Sequence, residues 1–244
     1  GITKLPLEIL LKIFLLLSNT ELLRYSVILK SNPSLFRCVN SILFSSLTIH
    51  EVIFPKSCQL KFPNNLFVHN GSLTMVIDPR YLTEILQPFQ AYIKDFSSPQ
   101  PIDHLGFQHL VMEFVMNLPI LTSLKVDGHQ FLQTSFRKTL GHGIASGFKN
   151  LENLTIFSFP NHKPLPVSPV MPCLFPQLKS FTIEGHIANI DELSEVVGGF
   201  PALLNLVIRL TDSFMCKINP CDFPKLETLE LSRTTTGRSF PGHD

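Results

Sequence analysis

Tryptophan is absent from the 244 residues, and charge is scarce, with Lys+Arg 20 set against Asp+Glu 19 and only 16% of the chain charged. The formal net charge is +1 and the basic residues are scattered. That leaves no electrostatic footprint for nucleic acid or an anionic membrane, so neither is an expected partner. Low charge with 44% hydrophobic residues excludes disorder as the overall state. Cysteine is also sparse: Cys38, Cys58, Cys173, Cys216 and Cys221 make an odd set of five without close spacing. Such a set is no disulfide framework and suits a reducing compartment. Cys216 and Cys221 read C-x4-C, but no second pair or suitably spaced His completes a zinc site, so no metal is expected.

Long uninterrupted hydrophobic runs are missing too. A membrane span needs about 20 consecutive apolar residues. The run from Leu5 to Leu17 has thirteen residues and contains Glu8 and Lys12. A signal peptide tolerates a run of that size, but charge inside it and the lack of an A-x-A-like cleavage site at Leu17-Ser18-Asn19-Thr20-Glu21 argue against one. The chain begins at Gly1, which reads as a fragment or a processed chain.

The same run is coherent as a helix. Pro6 suits the first helical position and Glu8 the first turn. Ser18-Asn19-Thr20 breaks it and offers caps for a second helix from Glu21, which stops at Asn32-Pro33; a third starts there, with Leu35, Phe36, Val39, Ile42 and Leu43 at helical spacing. The first helix is apolar nearly all round, which one stripe of a small bundle does not require; a second buried side is expected, against a permanent partner or against the domain that follows.

Downstream, the chain repeats itself. Five segments share L-x-x-L-x-[LIV], starting at Leu121, Leu151, Leu178, Leu203 and Leu226, with successive starts 30, 27, 25 and 23 residues apart. Phe-Pro precedes three of them, at Phe175, Phe200 and Phe223. The spacing is close to the roughly 20–29 residues of leucine-rich repeats. The alternating end of each segment predicts a short strand, and the intervening stretches, such as Phe107 to Met116 and Asp191 to Val197, carry helical patterns. Leu73 to Ile77 predicts a strand, Tyr81 to Phe96 a helix interrupted at Pro88, and Pro160 to Pro176 a proline-rich loop. The expected fold is α/β: a three-helix head over 1–49, a linking region of degenerate repeats over 50–117, and a truncated repeat array over 118–244. In that array parallel strands line the concave face, with helices or irregular turns on the convex face.

No catalytic constellation is present. Gly141 to Gly147 fits neither a Walker sequence nor a dinucleotide fingerprint, and His104 and His109 are five apart, off one helical face. Asp127-Gly128-His129 and Glu184-Gly185-His186 both follow a repeat strand, but no nucleophile accompanies either; they read as strand ends with solvated His. An enzyme is not expected, nor a cofactor. With positions one, four and six of each repeat inward, positions three, five and seven face out. The expected binding set is Lys125, Asp127, Thr155, Phe157, Thr182, Glu184, Val207, Arg209 and Glu230. That mixture, with Phe157 and Val207 as apolar anchors, suits a protein rather than a phosphate-rich ligand.

Leu5-Pro6-Leu7-Glu8-Ile9-Leu10, Ile13-Phe14, Leu17, Glu21-Leu22-Leu23, Tyr25-Ser26-Val27 and Leu29-Lys30 together resemble the F-box motif, with its L-P-x-E-[IL]-[IL]-x-x-I-[FL]-x-x-L opening. The likeness covers about 45 residues and runs to Leu47-Thr48-Ile49, similar to the strand that often follows that motif. Where the family commonly has a Trp, two positions after Lys30, this chain has Asn32. An F-box-like head on a repeat body resembles the substrate receptors of SCF ubiquitin ligases. The resemblance implies a non-catalytic receptor in the cytoplasm or nucleus. Its head docks on a Skp-type adaptor, and through it on a cullin scaffold, while its repeats hold a protein substrate. Adaptor contacts are expected from Leu5, Pro6, Ile9, Leu10, Ile13 and Phe14, with Leu22, Leu23, Val27 and Leu29 contributing. The alternatives are a repeat interaction module with a vestigial head and no ligase association, and a secreted repeat protein.

Overall fold

The computed structural model describes residues 5–51, 66–69, 72–77, 82–98, 105–128, 148–158, 171–186, 196–210 and 225–233. It divides into two compact units, Gly1–Leu121 and Thr122–Asp244. The architecture is α/β, and its strands pair in parallel except at one edge. No helix among the described residues is long and apolar enough to cross a membrane.

The first unit opens with three helices, α1 (Leu7–Leu15), α2 (Asn19–Ile28) and α3 (Pro33–Leu43). Pro6 is the N-cap of α1 rather than its first residue, and its carbonyl accepts from the amides of Ile9 and Leu10, both at 3.1 Å. At that position, as at the first helical one, its missing N–H costs no helical bond. Ser18 caps α2 through a capping box with Glu21, so the helix begins at Asn19, two residues before the expected start. A single 3-10 turn, Leu29–Ser31, leads to Asn32, whose side-chain oxygen accepts from the Leu35 amide at 3.2 Å, and Pro33 opens α3 as the pattern predicts. Leu35, Val39 and Leu43 recur at helical spacing and are buried, and α3 packs against both α1 and α2.

The chain then enters strand β1 (Ser46–Glu51), followed by β2 (Leu66–His69), β3 (Ser72–Ile77), α4 (Leu82–Leu86), a 3-10 stretch (Gln87–Tyr92), β4 (Asp95–Ser97) and α5 (Leu105–Met116). β1 lies between β3 and β4, parallel to both, and β2 adds antiparallel to β3. The expected helix from Tyr81 to Phe96 is corrected. Pro88 lacks the amide an α-helix needs, the segment tightens to a 3-10 turn, and its last residues extend as β4 beside β1. Phe89 stacks on Phe44 at 3.8 Å between centroids, tying that turn to the end of α3.

The second unit carries β5 (Ser123–Asp127), β6 (Asn153–Phe157), α6 (Met171–Leu174), β7 (Ser180–Gly185), β8 (Asn205–Leu210) and β9 (Thr228–Arg233). Each strand pairs in parallel with the next, in chain order, compatible with a solenoid-like α/β fold. The five strands are the five repeat segments. Their register aligns Ser123, Asn153, Ser180, Asn205 and Thr228, which all hold the third repeat position. Between strands, the amides of positions two and three both donate to the carbonyl of position two in the preceding repeat, at 2.8–3.1 Å. The same pair of hydrogen bonds recurs in the first unit, where the amides of Lys94 and Asp95 both donate to the Ser45 carbonyl at 2.9 Å. Phe44-Ser45-Ser46-Leu47-Thr48-Ile49 and Ile93-Lys94-Asp95-Phe96 are therefore built as repeat units, with Phe44 and Ile93 buried in the leading place.

The core follows the pattern. Positions one, four and six of the first four repeats, from Leu121, Leu124 and Val126 through Leu203, Leu206 and Ile208, are buried. Phe148, Phe175 and Phe200, three residues ahead of each leading Leu, are buried as well, with Phe148 edge-on to Phe175 at 5.3 Å and Phe181 tilted against Phe200 at 5.6 Å. Offset and edge-on rings favour such rows. Met171 to Leu174 is a short helix where a loop was expected; the remainder of that stretch up to residue 170 lies outside the described residues.

Candidate functional site

The helical face of α1 decides what its leucines can touch. With 3.6 residues per turn, Leu10 and Phe14 fall on one side and Ile9, Lys12 and Leu16 on the other. Leu10 and Phe14 are buried in the head, and so is Leu22 of α2. These three were expected as adaptor contacts; they are instead the head's own core, because a three-helix unit needs its largest side chains between its helices. Leu5, Pro6 and Ile9 are exposed, while Ile13, Leu23 and Leu29 are half-buried. Val27 lies in α2, its side chain outside the described residues.

What stands in water is a different set. Leu16 is 86% exposed, Ile28 70% and Leu15 66%; Tyr25 is exposed as well, its ring leaning on Phe14 at 6.4 Å. None of these four was among the adaptor contacts expected from the sequence. The signal was present: Leu16 follows Ile9 by seven residues and Ile28 follows Tyr25 by three, so each pair shares a face. The same helices also expose polar residues, Glu8 and Lys12 on α1 and Glu21 and Arg24 on α2. Large aliphatic side chains left in water each forgo about 1.5–3 kcal/mol of burial.

The second surface is the outward side of β5–β9. Alternation along each strand sends positions three, five and seven to that side. Lys125 and Glu230 are exposed, and Thr155, Thr182, Glu184, Val207 and Arg209 are half-buried. Asp127 and Phe157 depart from expectation: both are 5% exposed. The two are register partners at the C-terminal ends of β5 and β6, and a phenyl ring gains most from leaving water, so this end of the face is closed rather than presented. Phe157 is thus no apolar anchor for a ligand.

Electrostatics on this face centre on Arg209. Its Nη1 donates to Glu184 Oε1 at 2.6 Å and its Nε to Glu230 Oε1 at 3.2 Å. The hydrogen bond to Glu184, more than the one to Glu230, raises the guanidinium above its ordinary pKa and commits it to two carboxylates. A second pair, Lys179 to Glu152 at 2.8 Å, lies ahead of the strands with both side chains largely in solvent, where such pairs contribute little.

The two acidic-Gly-His sequences separate rather than converge. Asp127 and Glu184 stand on strands with β6 between them, about 10 Å apart by strand spacing. Ser158, the buried hydroxyl after β6, follows Phe157 and so belongs to the opposite side of the sheet. His186 is half-buried and follows Gly185; His129, Gly141 to Gly147, Cys58, Cys216, Cys221 and His104 lie outside the described residues, as does the side chain of His109. Among the described residues no three His, Cys, Asp or Glu side chains gather as a metal site.

In comparisons with known proteins, no family model, no curated protein and no solved structure matches the chain.

Proposed function

We propose that the chain is a non-catalytic substrate-recognition subunit of an SCF-type ubiquitin ligase, its head docking on a Skp-type adaptor and its repeat strands holding a protein substrate. The observation that carries the reading is the set of large aliphatic side chains that the head leaves exposed. Its small bundle has filled its own core with Leu10, Phe14 and Leu22, and still turns Ile9, Leu15, Leu16 and Ile28 into water. Large aliphatic side chains exposed in such number on a small bundle favour a partner that covers them. The polar outward face of β5–β9, with charges of both signs, supports protein recognition at the other end of the task. Such a receptor accelerates another enzyme's chemistry by holding two molecules together.

Co-purification with a Skp-type adaptor tests the reading, with wild type set beside Leu16→Asp and Ile28→Asp. Both side chains are already in water, so the substitutions leave the fold intact. Wild type retains the adaptor, and each variant loses affinity by about 30-fold, the loss of a central apolar contact. A folded wild type that does not retain the adaptor ends the ligase reading; retention by both variants places docking elsewhere on the head.

A second reading has one observation in its favour. Three of the ten residues expected at the adaptor face are withdrawn into the head, as they would be in an interaction module whose head serves only its own repeats. That reading expects Leu16→Asp to change neither partner binding nor stability.

A further inference from the structure

We infer that the outward face of β5–β9 holds an extended segment of its protein partner carrying one acidic and one basic side chain about six residues apart. The inference rests on the reading of this face as the substrate-binding surface and names the chemistry of what it takes.

The parallel register draws one side chain from every strand into a single row, Lys125, Thr155, Thr182, Val207 and Glu230. Lys125, at one end, is exposed and forms no ion pair among the described residues. Asp127 lies two residues further along β5 on the same side but is buried, so the ammonium is what β5 presents. At the other end Glu230 and Glu184 share the one guanidinium of Arg209. Two carboxylates against one cation leave a negative charge, and the Glu230 side chain is 48% exposed. The row therefore has a cationic end and an anionic end, with nothing charged between them.

Its length sets the spacing of the ligand. Four gaps between neighbouring strands, each about 4.8 Å, give about 19 Å, which extended chain at about 3.3 Å per residue crosses in about six residues. The middle of the row is short-chained, so a backbone can lie close to it. The threonine hydroxyls offer donors and acceptors to peptide groups, and Val207 offers one apolar contact. Opposite charges at the two ends fix which way the segment runs. A polyanion is poorly served, because Arg209 is already bonded to two carboxylates and Lys125 stands alone.

Selection of random twelve-residue peptides displayed on phage against the immobilised full chain tests the inference. Enriched sequences are expected to hold an acidic and a basic residue about six apart in one preferred order. Lys125→Glu or Glu230→Lys is expected to weaken a selected peptide by up to about fivefold. The double exchange is expected to enrich the opposite order. Both residues are exposed, and an unchanged thermal melt confirms that each variant is folded. Enrichment without charge spacing, insensitive to the exchange but abolished by Val207→Asp, overturns the inference while the face remains a peptide site. Enrichment insensitive to all three substitutions, or none above bare matrix, overturns the inference together with the assignment of the face. Neither result bears on adaptor docking by the head, which its own co-purification decides.

Discussion

Gly185 ends β7 with a φ of +119°, a backbone region that L side chains rarely adopt. A Cβ there would also press into the carbonyl oxygen of Ser158, whose amide is bonded to Glu184 at 2.8 Å. Gly185→Ala is therefore expected to cost about 1–3 kcal/mol, read as a lower urea midpoint with unchanged slope. An unchanged midpoint would mean the strand end relaxes freely. In the sequence, Gly185 was legible only as the end of a strand. Its positive φ and the close approach of the neighbouring repeat are tertiary facts. Asn32 was likewise legible as a departure from a family pattern, while its work as the N-cap of α3 follows from the bond it makes.

At the scale of elements, α2 shows how a local motif sets a boundary. The Ser18 hydroxyl and amide both donate to Glu21 Oε2 at 2.8 Å, and the Ser18 hydroxyl bond, the larger influence, holds the Glu21 carboxyl below its ordinary value of 4.5. A depressed folded pKa adds stability that is present above the unfolded value and disappears as pH falls through the folded one. Glu21→Ala is thus expected to destabilise the chain relative to wild type at neutral pH, and the gap is expected to narrow progressively once pH drops below 4.5. Urea titrations of both proteins between neutral pH and pH of about 2.5 measure it; a gap independent of pH removes the charged capping box as its cause. Ser18 and Glu21 at that spacing were visible in the sequence, and the pair explains why α2 starts at Asn19. The end of the Tyr81–Phe96 segment was not legible in that way, because its strand exists only where β1 lies alongside.

For the molecule as a whole, the repeat ladder implies that leucines at inward repeat positions are unequal. Leu154 sits at position four of an inner strand and is 1% exposed, whereas Leu231, at position six of β9, is 49% exposed. Leu154→Ala is expected to cost about 2–5 kcal/mol and Leu231→Ala about 0.5 kcal/mol or less. Thermal and urea melts of the two variants measure the difference, and equal losses would show that β9 is covered in solution. The sequence by itself determined the repeat, its inward positions and the α/β class, because alternation and helical spacing are local periodicities that backbone geometry imposes. It also marked the head's first helix as too apolar for one buried stripe. Only the tertiary structure decided which apolar side chains were left over, sending Leu10, Phe14 and Leu22 inward and Leu16 and Ile28 out, and closing Asp127 and Phe157 off from solvent. The physical reason is that burial is a property of what packs alongside, which a periodic pattern ranks by face but does not assign to a neighbour.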